Sequence, residues 1–258
     1  MINGWIDSHA HLCEDEFKDD FFDVINRAQS SGVRKIMVIA CSIKQGYQAL
    51  KLCETYEMID IAVGLHPEDA DSVNEATYQQ LETLLKTGKF SAIGEIGLDN
   101  HWRNDNKQIQ NDVFINQIKL ANKYSLPIFI HSRDAANDTF NILKQYPAAK
   151  AGIMHCYSGS VEMAQEYLKL GYYISLAGPV TFKNAVMPKA VAQAIPITSL
   201  LIETDCPFMA PVPMRGKRNE PSFVVYVGEE ICRLKGITST EFIEQININY
   251  QHLFKAKV

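Results

Sequence analysis

The chain has no Cys-x-x-Cys pair, no Walker-type phosphate loop, no Ser/Gly linker or low-complexity tract, and no repeat at a fixed short period. Its six cysteines, Cys13, Cys41, Cys53, Cys156, Cys206 and Cys232, lie far apart. That spacing excludes a small disulfide scaffold and a closed thiolate zinc site, and it points to free thiols. No apolar run approaches the roughly 18 to 20 residues of a membrane span. The first residues lack the basic, apolar and small-residue zones of a secretory signal, so the expectation is a protein of the reducing cytoplasm. Positive charge is also short. With 25 Lys and Arg against 30 Asp and Glu, the net charge is -5, which excludes a protein that coats nucleic acid by charge alone. It leaves room for an enzyme that holds one phosphodiester between cations.

What is present is ordinary globular material: 258 residues, 47% hydrophobic and 21% charged, enough for an extensive core. Short apolar runs recur as WIDSH, KIMVIA, IDIAVGLH, SAIGEIGLD, PIFIH, AGIMH, YYISLAG and SLLIETD. Helical segments stand between them; in one, Val113, Phe114, Gln117, Ile118 and Ala121 trace a single side. Strands alternating with helices imply a parallel sheet, and eight of them in this length imply an α/β protein of the (β/α)8 TIM-barrel type over residues 1–258 as a single domain. A doubly wound open sheet is the rival. The last forty or so residues read as two helices, the second opened by a Thr/Ser cap with Glu241 and Glu244 near its start.

Polar residues that do not belong in apolar strands gather at the strand ends. His9 and His11 end the first run, His66 the third, His131 the fifth and His155 the sixth; Glu95 sits in the fourth, and Glu203 and Asp205 end the eighth. In a parallel barrel these ends open on one face, where active sites are built. Burying so many imidazoles and carboxylates together without a cation would be costly, so the pattern points to a metal centre. Strand parity puts Glu203 with Asp205 on one face of their strand and Glu95 with Asp99 on one face of theirs, so that these acids point inward together, and it turns Cys156 and Cys206 toward the helix layer as buried structural thiols. Imidazoles and carboxylates suit magnesium, manganese, zinc or iron in a hydrolytic site. Six candidate ligands exceed the need of one ion, so two divalent cations about 3.5 to 4 Å apart are expected, with a carboxylate such as Glu95 bridging them.

The ordered motifs DSHAHL, GLHP, GEIGLD, IHSRDA, MHCYSG, IETDCPFMAP and RGKRNEP, with the ending NYQHLF, resemble the TatD family of metal-dependent deoxyribonucleases over nearly the whole chain. The resemblance implies a metal-dependent-hydrolase TIM barrel in which His9, His11 and Asp205 hold one ion, His131 and His155 the other, and Glu95 stands between them. It implies cleavage of DNA, often from the 3′ end of single strands, and a phosphate contact from His66. Asn100 and Glu68 depart from the family's aromatic residue after GLD and second histidine after HP, both where substrate enters.

The expected reaction is phosphodiester hydrolysis by a metal-activated hydroxide, with Asp205 as general base and Glu203 as an orienting acid. Arg215, Lys217, Arg218 and Asn219 are candidates for substrate phosphates at the barrel mouth, Arg218 foremost; the alternative is a loop whose arginines pair with acids such as Glu220. Asp134 reads as a helix cap, His252 as structural or exposed, and Trp102 with His101 either as a stacking surface for a base or as loop packing. Rival functions are another ester hydrolase on the same centre, such as a D-aminoacyl-tRNA deacylase, and a noncatalytic metal-binding scaffold. The expected partner is DNA, with no membrane, and the expected state is a monomer.

Overall fold

The computed structural model describes residues 4–102 and 105–254. Among them, eight strands follow chain order around one sheet: β1 (Trp5–Ala10), β2 (Val33–Ala40), β3 (Ile59–Val63), β4 (Ala92–Asp99), β5 (Ile128–Arg133), β6 (Gly152–Met154), β7 (Tyr173–Leu176) and β8 (Leu200–Ile202). Each pairs in parallel with the next. The ring closes between the segment after β8 and β1. Ala10 bridges Cys206, the His11 N–H donates to the Cys206 carbonyl at 2.9 Å, and the Asp205 N–H donates to the His9 carbonyl at 3.0 Å. Asp7 completes this seam by accepting from the Thr204 N–H at 2.9 Å and from the Thr204 hydroxyl. The fold is the (β/α)8 barrel that the alternating runs imply.

Helices α1 (Phe21–Ser30), α2 (Ile43–Thr55), α3 (Glu75–Leu85), α4 (Lys107–Tyr124), α5 (Ala136–Gln145), α6 (Val161–Lys169), α7 (Val186–Ala194), α8 (Val224–Lys235) and α9 (Ser239–Leu253) alternate with the strands or follow them. Strands covered on both sides have no reason to alternate polar and apolar residues, and Ile36 to Ala40 of β2 are accordingly all buried. The side of α4 marked by Val113, Phe114, Gln117, Ile118 and Ala121 is its buried side, extended by Gln110. Its two buried glutamines act on strand ends. Gln117 accepts from the Leu65 N–H at 2.8 Å and donates to the Leu65 carbonyl at 3.0 Å. Gln110 does the same to Asp99 at 2.8 and 2.9 Å. Backbone groups that leave the sheet ladder must find partners, and these amides supply them beside His66 and at the end of β4.

Gly236, with φ +67°, ends α8, and Thr238 and Glu241 form the capping box that opens α9, as the sequence suggests. Two local expectations fail. β6 and β8 stop at Met154 and Ile202, so His155, Glu203 and Asp205 lie in loops where strand parity no longer governs direction. Asp134 does not cap α5, whose cap position is Ala135; with φ +52° it turns away and pairs with His101 Nδ1 at 3.0 Å.

Candidate metal centre

The strand ends open on a cavity of about 760 Å³. Glu95 of β4 stands at its floor, only 2% exposed, and its two oxygens face different partners. Oε2 lies 3.3 Å from His9 Nε2 and 3.5 Å from His11 Nε2. Oε1 lies 2.6 Å from His131 Nδ1, 2.5 Å from His155 Nε2 and 3.6 Å from His66 Nε2. Asp205 Oδ1 joins the first group, 3.2 Å from His11 Nε2 and 3.7 Å from His9 Nε2. Gly97 helps to bring these strands together: with φ +143°, its missing Cβ would sit 2.0 Å from the His131 carbonyl oxygen. Close β4–β5 contact there leaves Glu95 and Asp99 facing the two ring nitrogens of His131.

Each imidazole on the β5–β6 side is turned by an acid behind it. His131 stands between two acids, with Nε2 2.9 Å from Asp99 Oδ2 and Nδ1 2.6 Å from Glu95 Oε1; ionised carboxylates only accept, so the protonated ring donates to both, and on loss of one proton Asp99 can keep the other on Nε2 and leave Nδ1 for a cation. His155 is held the opposite way round, with Nδ1 3.3 Å from Glu203 Oε1 and Nε2 toward the centre. Glu203 Oε1 also accepts from the Cys156 N–H at 2.7 Å. His66 Nδ1 accepts from the Glu68 N–H at 3.3 Å, which places its own proton on the inward Nε2.

Burial opposes charge on each of these groups, and their neighbours outweigh it for most. His155 is held well above the usual imidazole range by Glu95 and Glu203, and His131 is raised by Asp99 and Glu95. Glu95 is held well below the carboxylate range by His155, His131 and His66. His9 goes down, because burial and the adjacent His155 act in the same direction.

This donor set fits divalent cations. Four imidazoles and two carboxylates face one another within 2.5 to 3.7 Å in a buried site, an arrangement that positive charge would stabilise. Ligand atoms of His9, His11 and Asp205 lie within 4.8 Å of one another, as do those of His66, Glu95 and His131, and those of His9, His155 and Glu203. His9 Nδ1 and Glu203 Oε2 are buried without a hydrogen-bond partner.

Three participants escape a reading by residue type at strand ends. Strand parity set Asp99 beside Glu95, but nothing in the sequence marked it as the partner of His131. Asp7 shares a strand face with His9 and His11 but serves the barrel seam. Cys41, just past β2, lies 3.7 Å from His11 Nδ1 and 4.0 Å from Glu95 Oε2, its thiol pushed up by burial. A cysteine ending KIMVIAC was its one signal. Cys206 is buried as expected, but Cys156 lines the cavity, with Sγ 3.9 Å from Met209 Sδ; its φ of +42° breaks the strand alternation that had turned it away.

The family model for TatD related DNases matches residues 6–255. The chain belongs to the TatD family. The metal-dependent hydrolase YabD of Bacillus subtilis is 46% identical over 250 residues, covering 96% of this chain and 98% of that protein. The crystal structure of YjjV, a TatD homologue from Escherichia coli, matches with a TM-score of 0.93 at 32% identity, over 99% of this chain and 100% of that one. Organophosphorus hydrolase from Deinococcus radiodurans, with a TM-score of 0.66 at 13% identity over 98% of this chain and 92% of that one, shares the fold.

One TatD motif is not brought to the cavity. Arg218 of RGKRNEP donates to Asp20 at 2.9 and 2.7 Å and to the Glu16 carbonyl, and packs over Phe17; it is not among the residues lining the cavity. Glu220 takes Arg27, Arg215 lies over Phe182, and Asn219 donates to the carbonyls of Thr204 and Phe208 at 2.8 and 2.6 Å. In this TatD chain the motif clasps the loop that carries Asp205, because Asp20, just before α1, and Arg27, within it, engage Arg218 and Glu220.

Proposed function

We propose that this TatD-family protein hydrolyses phosphodiester bonds at single-stranded DNA ends, as a 3′–5′ exonuclease, with two divalent cations. His9, His11 and Asp205 would hold one, His131 and His155 the other, and Glu95 would be shared. The observation that carries this reading is the division of Glu95, whose two oxygens address two separate groups of imidazoles. When bound, cations of this kind acidify a water and offset charge developing on phosphoryl oxygens. Asp205 engages His11 through Oδ1, and Oδ2 is the oxygen assigned to the proton of the attacking water. His66 presents Nε2–H to a nonbridging phosphate oxygen. Asp99 and Glu203 fix the two imidazoles between them and Glu95, so the donors need little reorganisation. Magnesium, manganese and zinc all suit these ligands. The free cysteines support a reducing cytoplasm, and no helix among the described residues is long and apolar enough to cross a membrane.

The test is to strip the protein of metal and titrate Mg, Mn and Zn against labelled single-stranded DNA, mischarged aminoacyl-tRNA and simple carboxylic esters. Shortening of DNA from the 3′ end is expected, and preferential hydrolysis of the aminoacyl ester would overturn the nuclease reading. Asp205→Asn should abolish turnover with an unchanged circular dichroism spectrum. Asp205 has φ +55°, a conformation asparagine tolerates well, so the substitution tests chemistry rather than folding.

A further inference from the structure

The rim of the cavity carries a feature that the cation centre does not use. Trp102, in the loop after β4, lines the cavity and is 64% exposed. The guanidinium of Arg133, at the end of β5, lies 5.3 Å from the indole centroid, and Arg133 has no carboxylate partner among the described residues. The backbone beneath the ring is held in place. Asp99 Oδ1 accepts from the backbone N–H of His101 at 2.9 Å and of Trp102 at 3.3 Å. His101 packs edge-on to the indole at 4.8 Å while pairing with Asp134, and Asn100 donates to the Asp134 carbonyl at 3.2 Å. The other oxygen of Asp99 is the one that orients His131. A single carboxylate therefore ties the backbone that carries the indole to a histidine of the candidate metal centre.

We propose that Trp102 and Arg133 form a subsite for the terminal nucleotide: the indole stacks its planar base, and the guanidinium held against the same ring meets the adjoining phosphate. This rests on the phosphodiesterase reading above and names what that site selects. An exposed ring beside a guanidinium with no carboxylate partner among the described residues matches a π-face next to a phosphate, the pairing that single-strand binders use. Phe208 and Met209 add apolar surface to the cavity, whereas Glu68 and Asp69, which also line it, would repel further phosphates. The site therefore reads one terminal base rather than a length of strand.

The experiment uses the cation-loaded enzyme and two single-stranded substrates identical except that one ends in a base and the other in an abasic deoxyribose. Wild-type KM should be about tenfold lower for the base-ended substrate. In Trp102→Leu that ratio should collapse to near one with kcat little changed, and Trp102→Phe should restore most of it. In a second, cation-free measurement, dAMP should quench the indole emission of the wild-type protein and deoxyribose 5-phosphate should not; Trp5 is buried and serves as background. Equal KM values for the two substrates in the wild type, or a ratio unchanged in Trp102→Leu, would overturn the subsite. Failure to cleave either substrate with any cation would instead overturn the parent reading, while base-dependent quenching would still support the subsite.

Discussion

At the floor of the cavity Glu95, His9 and Glu203 have almost no contact with solvent, whereas at the rim Trp102, Phe208 and Met209 are 64%, 53% and 38% exposed. Floor residues are fixed by one another: an acid stands behind each of His131 and His155, and a shared carboxylate stands in front. Rim residues are fixed by the backbone of their loops, and their side chains are free for a ligand. The difference assigns chemistry to the floor and choice of substrate to the rim. A substitution on the floor should act on cation binding and kcat, and one on the rim on KM.

The sharpest way to break that division is Glu95→Gln, which keeps the shape of the side chain and removes its charge. Both groups of imidazoles lose their common acceptor, so cation content should fall below two per chain. Several kcal/mol of transition-state stabilisation should go with it, on the order of a thousandfold in turnover. Elemental analysis and calorimetric titration check the first outcome, and single-turnover kinetics the second. Retention of two cations at wild-type affinity would show that Glu95 is not shared.

Asp99 is the joint between the two regions, and Asp99→Asn separates its two roles. The remaining carbonyl oxygen can still accept from the N–H groups of His101 and Trp102, but the new amide cannot accept from His131 Nε2. Cation affinity should therefore fall by roughly 10- to 100-fold, as measured by competition with a chelator, while the emission of Trp102 stays put. If affinity is unchanged, the orientation of His131 comes from elsewhere.

The floor was legible in the sequence because its chemistry is concentrated in residue types that are costly to bury. Five of seven histidines, with Glu203 and Asp205, end apolar runs, Glu95 sits within one, and the barrel brings the candidate ligands to one place. What was not legible turns on local backbone. Cys156 and Asp134 have left-handed φ values that redirect their side chains, and β8 is too short for parity to govern Glu203 and Asp205. Cys41 reaches the centre from a strand end that carries no histidine or acid to mark it. Arg218 shows the converse limit. Its charge made it a candidate for phosphate, but which partner an arginine meets depends on a contact with Asp20, just before α1 and nearly 200 residues away in the chain.

Arg218 also gives the smallest and most discriminating test, because it belongs to neither floor nor rim. Its bond to Asp20, together with that of Arg27, holds the Asp20 carboxyl down at about 2. An acid whose folded pKa lies below its unfolded value of about 4 adds stability above pH 4 and loses it as the pH falls from 4 toward 2. Both side chains are about one-third exposed, so solvent screening limits the contribution to no more than about 1 kcal/mol. Arg218→Ala should therefore lower the melting temperature by roughly 2 to 4 °C at neutral pH, with the deficit shrinking toward pH 2. The KM for DNA should stay within twofold of wild type. A tenfold rise in KM without a change in melting would instead place the guanidinium on substrate and extend the rim along the loop after β8 from Met209 to Arg218.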